Sequence, residues 1–538
     1  MKLERVSSPI PNKLLSEYWA NETWVKSFFS YNVNDEGFRE RLDWVQQQTY
    51  DRAQLAKVVR SYMAPYTISQ KAEQHLQQLS NDAVVVVGGQ QAGILTGPLF
   101  SVYKAISVIL IAKQQQDKLR VPVVPLFWIA GEDHDIDEIN HTYTMEIDRV
   151  IKRIFGEPSR IKKMASYTDF NKEQLRMYVQ SIFKDYGETE YSAELLQRVL
   201  APINTTSTFT EYFTALFNEL FVEEGLLLID AAYEPFRKMQ SGYFTKLIER
   251  NEQIANAVVA QEREFTQLGF AAPIEATSTN ANLFYVEQGE RFLLERKEGQ
   301  YVNALKGVHK SKSELIELAQ QHPEQLSNNV VTRPLMQEMS IPVLAFVGGP
   351  GELAYWATLK TAFEAAGLRM PLFIPRLSVT VVGRKAQYAM QQSHLKVADA
   401  FDNRIEQLKS QYIEQQKNDD ISETIANMEQ QLLLQYETLA TQLEVEDVHL
   451  DKTLARNEHY HQQQFDYLKR KIQEQYEVKH EAMLRQMNIV QAQLLPNGKP
   501  QERLYSVYQL ENDFGTSVIK QIMQTVEPIE KQHIVLYV

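Results

Sequence analysis

The chain has 538 residues, of which 44% are hydrophobic and 23% charged; these are ordinary values for globular proteins and argue against wholesale disorder. This length exceeds what one hydrophobic core supports, so we expect two to four domains or subdomains. The net charge of −13 argues against nucleic acid as the main partner, and the absence of cysteine excludes disulfides, Cys-ligated zinc and a catalytic thiol.

The apolar runs of the sequence are all shorter than the roughly 18 residues that a membrane span needs, and the N-terminal stretch lacks a signal-peptide core. We therefore expect a soluble, cytoplasmic protein without a membrane partner. The first eighty residues indicate helices, because apolar residues recur at helical spacing over 52–63.

An alternating pattern follows this helical region. Residues 84–87 form a short β-branched run, residues 98–113 have helical periodicity, and residues 121–129 form a second apolar run. Strand, helix and strand in this order, with strands that are apolar throughout, are typical of a buried parallel sheet. The pattern predicts an α/β fold.

Further strands are predicted along the chain. GLLLID at 225–230 resembles the earlier strands, and 343–347 and 372–382 do so again. Between them, 271–305 predicts short strands with turns, a small β insertion. The parallel-sheet core therefore extends to about residue 382.

The character of the sequence changes at residue 383. Residues 384–493 contain neither glycine nor proline, and apolar side chains recur there at helical spacing. This predicts two or three long antiparallel helices that form a coiled-coil arm, whose apolar stripe favours self-association. The last apolar run, HIVLYV, is expected to return to the sheet. The predicted segments are 1–145 and 226–382 for the core, 146–225 for a mainly helical insertion, 383–493 for the arm and 494–538 for the returning C-terminal segment.

Two glycine-rich segments follow predicted strands. VVGGQQAG at 86–93 and FVGGPG at 346–351 each place a Gly–Gly pair after an apolar strand and a further glycine before a predicted helix. In open α/β sheets, ligands bind beyond the carboxyl ends of the strands, and helix N-termini favour phosphate or carboxylate groups. The alternative is that these glycines only permit tight turns and close helix packing.

Neither glycine turn carries a complete nucleotide-binding fingerprint. The first does not match GxGxxG, and neither has the GK[ST] of a P-loop. The second fits GxGxxA over 349–354, but the strand that follows, 372–377, contains Arg376 and no acidic residue for a ribose. NAD is therefore disfavoured.

An acidic loop, AGEDHDIDE at 130–138, follows the second predicted strand. Glu132, Asp133, His134 and Asp135 should lie at the carboxyl edge of the sheet, beside the first glycine turn. A histidine between carboxylates is expected to have a raised pKa and could accept a proton from an attacking ammonium group. The same cluster could bind a divalent cation, or the loop could simply be solvated and cap the next helix.

Two further segments have a structural interpretation beside a functional one. HKSKS at 309–313 is similar to the lysine loop of class I aminoacyl-tRNA synthetases, but Ser311 and Glu314 also predict a capping box, which we favour. Arg333 precedes a proline and could clamp an anion or pair on the surface.

Four segments together resemble one family closely, the bacillithiol biosynthesis cysteine-adding enzymes (BshC). They are GGQQAGILTGPLFSVYKA (88–105), WIAGEDHDIDEINH (128–141), NVVTRPLMQE (329–338) and VGGPGELAYWATLK (347–360). The resemblance covers essentially the whole chain. It implies a Rossmann-like core with connective insertions, a coiled-coil arm that forms a homodimer, and a ligase that adds cysteine to glucosaminyl-malate.

The resemblance also implies a chemistry. Amide formation from a free carboxylate requires activation, for which ATP, with or without Mg²⁺, is the expected cofactor. His134, or one of Asp133 and Asp135, would then deprotonate the amine, whereas Lys104 lies about two turns into its helix and could miss the site. No residue is assigned to a resident metal. The residues expected to bind substrate or nucleotide are Gly88, Gly89, Gln90, Gln91, Gly93, Thr96, Gly97, Lys104, Trp128, Gly349, Gly351, Glu352, Tyr355 and Arg376.

The sequence departs from class I synthetases, which form acyl adenylates. No HIGH-like motif or thiol-selecting zinc site is evident, and 90–97 occupies the expected place without a histidine. The mode of activation therefore stays open. Two other functions also stay open: a nucleotide-sugar-dependent transferase that binds metal through Asp133 and Asp135, and a non-catalytic scaffold of the thiol pathway.

Overall fold

The computed structural model describes residues 1–20, 22–156 and 162–538. The chain divides into two compact units, one formed by Met1–Glu146, Val150–Val381 and Lys499–Val538, the other by Ile147–Arg149 and Val382–Gly498. Among the described helices, none combines the length and the apolar character that a membrane crossing requires.

The described residues form fifteen strands. They are β1 Lys2–Val6, β2 Val84–Gln90, β3 Val123–Ile129, β4 His141–Glu146, β5 Arg149–Ile154, β6 Leu227–Asp230, β7 Asn280–Glu287, β8 Glu290–Lys297, β9 Gln300–Asn303, β10 Val308–Ser311, β11 Leu326–Asn328, β12 Val343–Gly348, β13 Leu372–Pro375, β14 Val379–Val382 and β15 His533–Tyr537.

The α-helices of the first unit surround these strands. They are α1 Lys13–Ala20, α2 Glu22–Phe28, α3 Asp35–Gln46, α4 Arg52–Met63, α5 Gln70–Ser80, α6 Leu99–Leu119, α7 Ile136–Ile139, α8 Lys172–Tyr186, α9 Ser192–Leu200, α10 Phe209–Phe221, α11 Glu234–Met239, α12 Ser241–Glu249, α13 Asn251–Gln267, α14 Lys312–Gln321, α15 Thr332–Ser340, α16 Pro350–Trp356, α17 Lys360–Ala365, α24 Val507–Phe514 and α25 Val518–Thr525.

A five-stranded sheet, in the order β6-β3-β2-β12-β13, forms the centre of the first unit, and all its neighbouring strands are parallel. Numbered by their place along the chain, these strands stand in the order 3-2-1-4-5, which is that of a Rossmann fold. The order reverses between β2 and β12. The predicted α/β fold is confirmed, and the two glycine turns flank this switch point.

Helix α6 covers the middle of the sheet and packs on β2, β3 and β12. Gly88 makes this close approach possible, because a Cβ atom there would lie 2.8 Å from Cγ2 of Val108 on α6. The valines of β2 are buried, as expected for a strand covered on both faces.

The N-terminal helices are fastened to the opposite end of β12. Arg41 of α3 is fully buried, and its Nη2 donates to Glu338 Oε1 at 2.6 Å and to the carbonyl oxygen of Val343 at 2.6 Å. Glu338, at the end of α15, is also buried. A buried ion pair of this kind is costly to break, because the remaining charge has no partner.

The predicted β insertion is a second sheet, with the order β10-β9-β8-β7-β11 and antiparallel neighbours. It extends beyond the predicted range to residue 328. The capping box predicted for Ser311 and Glu314 is confirmed at the start of α14, where Ser311 Oγ accepts from the Glu314 N–H at 3.2 Å.

The first eighty residues and the insertion at 146–225 are mainly helical, but each also contains a strand, β1 in the first and β5, which pairs with β4, in the second. Predictions for two later segments are wrong. The run 372–382 is two strands, β13 and β14, in different sheets. HIVLYV forms β15, which pairs with β1 in a separate three-stranded sheet and not with the parallel sheet. Each of these strands depends on a partner distant in sequence or on a turn that local composition does not mark.

The second unit contains α18 Arg384–Ser393, α19 Val397–Phe401, α20 Ile405–Gln416, α21 Asp419–Val445, α22 Asp451–Lys479 and α23 Glu481–Leu494. Lys469 Nζ lies 2.6 Å from Glu429 Oε2, and Tyr436 OH lies 2.9 Å from His461 Nδ1. The residue further along α21, Tyr436, pairs with the residue that comes earlier on α22, His461. The two long helices are therefore antiparallel. The predicted coiled-coil arm is confirmed.

Candidate active site

A cavity of about 330 Å³ lies at the carboxyl ends of β2, β3, β12 and β13, around the switch point of the parallel sheet. This is where open α/β sheets bind their ligands. Most of the residues predicted to bind substrate or nucleotide line it. They are Gly89, Gln90, Gln91, Lys104, Trp128, Gly349, Gly351, Glu352, Tyr355 and Arg376, together with the predicted catalytic residue Asp133.

The other predicted binding residues lie beside this cavity or beneath it. Gly93 and Gly97 line an adjoining cavity of about 260 Å³, which shares Gln90, Gln91, Phe100 and Arg503 with the first. Gly88 and Thr96 are buried and line neither cavity. These two residues pack in the protein interior beneath the cavities.

The first glycine turn leads into α6 through residues 91–98, which include a short 3₁₀ turn at Ile94–Thr96, and the helix begins at Leu99, one residue from the predicted start. The first amide of α6, Leu99 N–H, donates to the carbonyl oxygen of Tyr505 at 2.8 Å. Leu95 and Thr96 have φ values of 52° and 66°, and Gly97 has 68°. Left-handed backbone is unfavourable for leucine and threonine, and such strain is concentrated at functional sites in proteins.

Lys104 reaches the cavity, so the prediction that it could miss the site is wrong. Its Nζ donates to the carbonyl oxygen of Gly89 at 2.6 Å, to Gln90 Oε1 at 3.0 Å and to Glu352 Oε2 at 2.5 Å. A long helical side chain extends toward the N-terminus of its helix, which brings the ammonium group to the first turn. Burial lowers the pKa of Lys104, although Glu352 opposes this effect.

Arg333 and Tyr355 form another part of the wall. Arg333 Nη2 donates to Tyr355 OH at 2.6 Å, and its guanidinium lies 5.2 Å from the centre of the Phe346 ring. The sequence marked Arg333 as a residue that could clamp an anion, but left surface pairing equally open. The structure brings it into the cavity.

The C-terminal segment supplies two residues that the sequence did not predict. Arg376 Nη2 donates to the buried Glu502 Oε1 at 2.8 Å, and Glu502 Oε2 accepts from the Val379 N–H at 3.0 Å. The next residue, Arg503, is exposed and lines the cavity. Nothing local distinguishes these residues, because their role depends on the return of the chain to the sheet.

The charge of the cavity is predominantly positive. Its ionisable cations are Lys104, Arg333, Arg376 and Arg503, against the carboxylates of Asp133 and Glu352. Lys104 and Arg376 are paired with glutamates, whereas Arg333 and Arg503 form no ion pair with any residue in the described part of the chain. Two arginines are thus available for carboxylate or phosphate groups of a ligand.

Asp133 organises the acidic loop. Its Oδ1 accepts from the His134 N–H at 2.7 Å and the Asp135 N–H at 3.3 Å, and its Oδ2 accepts from Gln91 Nε2 at 2.8 Å. These bonds fold the loop onto the first glycine turn. His134 and Asp135 do not line the cavity.

His134 lies against the β insertion. Its Nδ1 is 3.4 Å from Arg291 Nη1, and its ring meets Phe284 edge-on at 5.9 Å. Burial and the nearby Arg291 lower the pKa of His134, although Asp135 and Asp133 oppose this. The expectation of a raised pKa is therefore wrong, because burial and Arg291, which lies on β8, 157 residues away in sequence, outweigh the two carboxylates.

Two family models cover nearly the whole chain. The model of the bacillithiol biosynthesis BshC N-terminal Rossmann-like domain matches residues 1–377, and that of the BshC C-terminal coiled-coil domain matches residues 379–538. The chain belongs to the BshC family of bacillithiol biosynthesis. Arg503 lies in the part matched by the coiled-coil model, so both matched parts contribute to the cavity.

Relatives within the family are similar over their whole length. A protein of Lysinibacillus sphaericus is 46% identical and one of Geobacillus thermodenitrificans is 36% identical, each with 100% of both chains covered. A Bacillus anthracis protein is 33% identical over 97% of both chains. All three are named "Putative cysteine ligase BshC".

Proposed function

We propose that the protein is a cytoplasmic cysteine ligase that joins the carboxyl group of L-cysteine to the amine of glucosaminyl-malate, completing bacillithiol. Membership of the BshC family and the names of the relatives support this reaction class. The observation that carries the proposal is the cationic cavity at the switch point of the parallel sheet, with two arginines that have no carboxylate partner among the described residues.

The charges of the two substrates fit this cavity. Cysteine brings one carboxylate, and the malate group of the second substrate brings two. Arg333 and Arg503 are the residues proposed to bind them, since planar guanidinium groups match carboxylates through paired hydrogen bonds. Trp128 and Tyr355 would form the apolar part of the wall.

We propose that an adenine nucleotide activates the cysteine carboxylate, as an acyl adenylate or an acyl phosphate. Lys104 already has three acceptors for its three N–H groups, so Arg333, Arg376 and Arg503 are better placed to face phosphates. The described residues include no group of three or more histidine or acidic side chains placed to hold a metal ion. Any Mg²⁺ would therefore arrive with the nucleotide.

The acidic loop contains the residues that the sequence predicts for proton transfer from the amine. The lowered pKa of His134 keeps its imidazole neutral at pH 7, which is the form that accepts a proton. Asp133 lines the cavity, whereas His134 and Asp135 lie outside it. If His134 acts, His134→Ala would abolish product formation while the protein stays folded; thiol production at the normal rate would contradict this role.

We also propose that the arm forms a homodimer. Large apolar side chains are exposed along α21 and α22, including Leu434 at 54%, Tyr467 at 50% and Val478 at 65%. Exposed apolar surface of this extent on paired helices favours a partner, and a second copy is the simplest one. Light scattering coupled to gel filtration should give twice the chain mass; a monomer at micromolar concentration would contradict the proposal.

The reaction is tested directly with purified protein, cysteine and glucosaminyl-malate, with ATP–Mg²⁺ or without nucleotide, while product mass and release of AMP and ADP are followed. Product with equimolar AMP supports adenylation, and product with equimolar ADP supports an acyl phosphate. Product without nucleotide would contradict activation by ATP. Absence of product from folded dimeric protein would contradict the ligase function and favour the scaffold.

A further inference from the structure

Two carboxylates line the cavity, and they differ in how they are bonded. Both oxygens of Asp133 are engaged: Oδ1 by the amides of His134 and Asp135, and Oδ2 by the side chain of Gln91. These bonds hold the acidic loop in place. Both oxygens of Asp133 therefore contribute to the fold of the loop.

Glu352 is fixed at one oxygen only. Its Oε2 accepts from Lys104 Nζ at 2.5 Å and from the Gly349 N–H at 2.8 Å. Its Oε1 makes no hydrogen bond with any residue in 1–20, 22–156 or 162–538. The Glu352 side chain is 24% exposed, whereas that of Lys104 is 1% exposed. Oε2 is thus held by hydrogen bonds to Lys104 and Gly349, whereas the side chain of Glu352 lines the cavity.

The anchoring also fixes where this carboxylate stands. Glu352 belongs to α16, directly after the second glycine turn, and Lys104 simultaneously holds the Gly89 carbonyl and the Gln90 side chain of the first turn. The Lys104 ammonium therefore ties both turns together. Glu352 occupies the gap between them, which is the ligand position of the fold.

Other titratable side chains around Glu352 are poor proton acceptors at neutral pH. Burial raises the pKa of Tyr355 to about 12, so its hydroxyl stays protonated. The guanidinium groups of Arg333 and Arg376 have only donor atoms, and the three N–H groups of Lys104 are all donated. Of the two carboxylates among the described cavity residues, Glu352 is the one with an oxygen that accepts no hydrogen bond.

We infer that Glu352 is the proton acceptor for the attacking amine. This inference rests on the proposed function, in which a nucleoside triphosphate has converted the cysteine carboxylate to an acyl phosphate or acyl adenylate. Glu352 Oε1 takes one proton from the bound ammonium group, and the resulting neutral amine attacks the acyl carbon to form a C–N bond. The bond from that carbon to the phosphate oxygen breaks, and the phosphate or AMP leaves with the electron pair. The second nitrogen proton leaves with the phosphate group.

Two acceptor amines distinguish a proton acceptor from a merely structural residue. Glucosaminyl-malate must lose a proton to the enzyme, whereas hydroxylamine is already neutral at pH 7 and traps activated acyl groups without much help from a base. For Glu352→Gln we expect the rate with glucosaminyl-malate to fall on the order of 100-fold or more, as general-base catalysis contributes. Hydroxamate formation should stay within about threefold of the wild type.

Matched variants complete the test. Glu364→Gln, an exposed glutamate on α17, should leave both rates unchanged. Glu352→Asp keeps a carboxylate and should recover part of the rate with glucosaminyl-malate. This variant provides a second test of the inference if Glu352→Gln folds poorly. Circular dichroism and melting temperature serve as controls for folding.

The inference fails if Glu352→Gln leaves both rates unchanged, or if it and Glu352→Asp lower both rates equally, since the residue would then serve structure or activation. It also fails if His134→Ala, and not Glu352→Gln, shows the loss confined to glucosaminyl-malate. A wild-type protein that makes neither product refutes the proposed function, and the inference with it. If the wild-type protein forms product with both acceptors, the proposed function holds, and a failure of the inference about Glu352 can be recognised separately.

Discussion

Replacing Arg41 by methionine should destabilise the protein strongly. The guanidinium is fully buried and supplies hydrogen bonds to the carboxylate of Glu338 and to the backbone carbonyls of Val343 and Arg369. Methionine fills a similar volume but leaves the Glu338 carboxylate buried without a cation. Loss of one partner of a buried pair costs about 3–5 kcal/mol in the free energy of unfolding.

The pH dependence of this loss follows from the carboxyl group. Burial raises the pKa of Glu338 to about 7, although Arg41 opposes this. A raised folded-state pKa gives stability that is complete below the unfolded value, 4.5, and is lost as pH rises through the folded value. Without Arg41 the folded pKa rises further, so the variant should lose more stability at pH 8 than at pH 5.

Urea denaturation of the wild type and of Arg41→Met at both pH values measures these differences, with tryptophan fluorescence as the signal. The double variant Arg41→Met/Glu338→Met is the matched control, and it should recover most of the loss because no buried charge remains. A loss below about 1 kcal/mol at pH 8 would refute this account of the buried pair. So would equal losses at the two pH values.

Three further predictions concern the sheet and the cavity. Gly88→Ala places a methyl group 2.8 Å from Val108 Cγ2 and should cost about 1–3 kcal/mol in thermal unfolding; an unchanged melting temperature would contradict the packing of α6 on β2. Arg503→Ala should leave the melting temperature unchanged, since the residue is exposed, and raise KM for glucosaminyl-malate about tenfold in steady-state kinetics; an unchanged KM would remove Arg503 from the binding site. Burial raises the pKa of Asp230 from 3.8 to about 6, so the carboxyl group costs stability as pH rises through this interval. Asp230→Asn should flatten the stability profile between pH 4 and pH 7 in urea titrations, and an unchanged slope would contradict the shift.

The sequence predicted the parallel core well, because its strands are continuous apolar runs. β2, β3 and β12 are buried on both faces, and such strands are visible without knowledge of their neighbours. β1 and β15 form a sheet between the two ends of the chain, and the sequence KLERV of β1 carries no apolar run. Pairing over such a distance leaves no local pattern in the sequence.

The site was predictable where it depends on the glycine turns and not where it depends on distant segments. The two turns place Gly89, Gln90 and Glu352 in the cavity as expected. Arg503 arrives from the C-terminal segment, and Arg291 from the β insertion covers His134 and reverses the expected direction of its pKa shift. Periodicity and spacing do not contain these long-range contacts.

The central claim, that a nucleotide activates the cysteine carboxylate for attack by the amine, is tested most directly with cysteine labelled by ¹⁸O in both carboxyl oxygens. The protein is incubated with this cysteine, ATP–Mg²⁺ and glucosaminyl-malate, and bacillithiol, AMP and phosphate are analysed by mass spectrometry. The account predicts bacillithiol with one ¹⁸O in its new amide, and one ¹⁸O in AMP or in phosphate for each amide formed. Bacillithiol formed with unlabelled AMP and phosphate, or no bacillithiol at all, would contradict it.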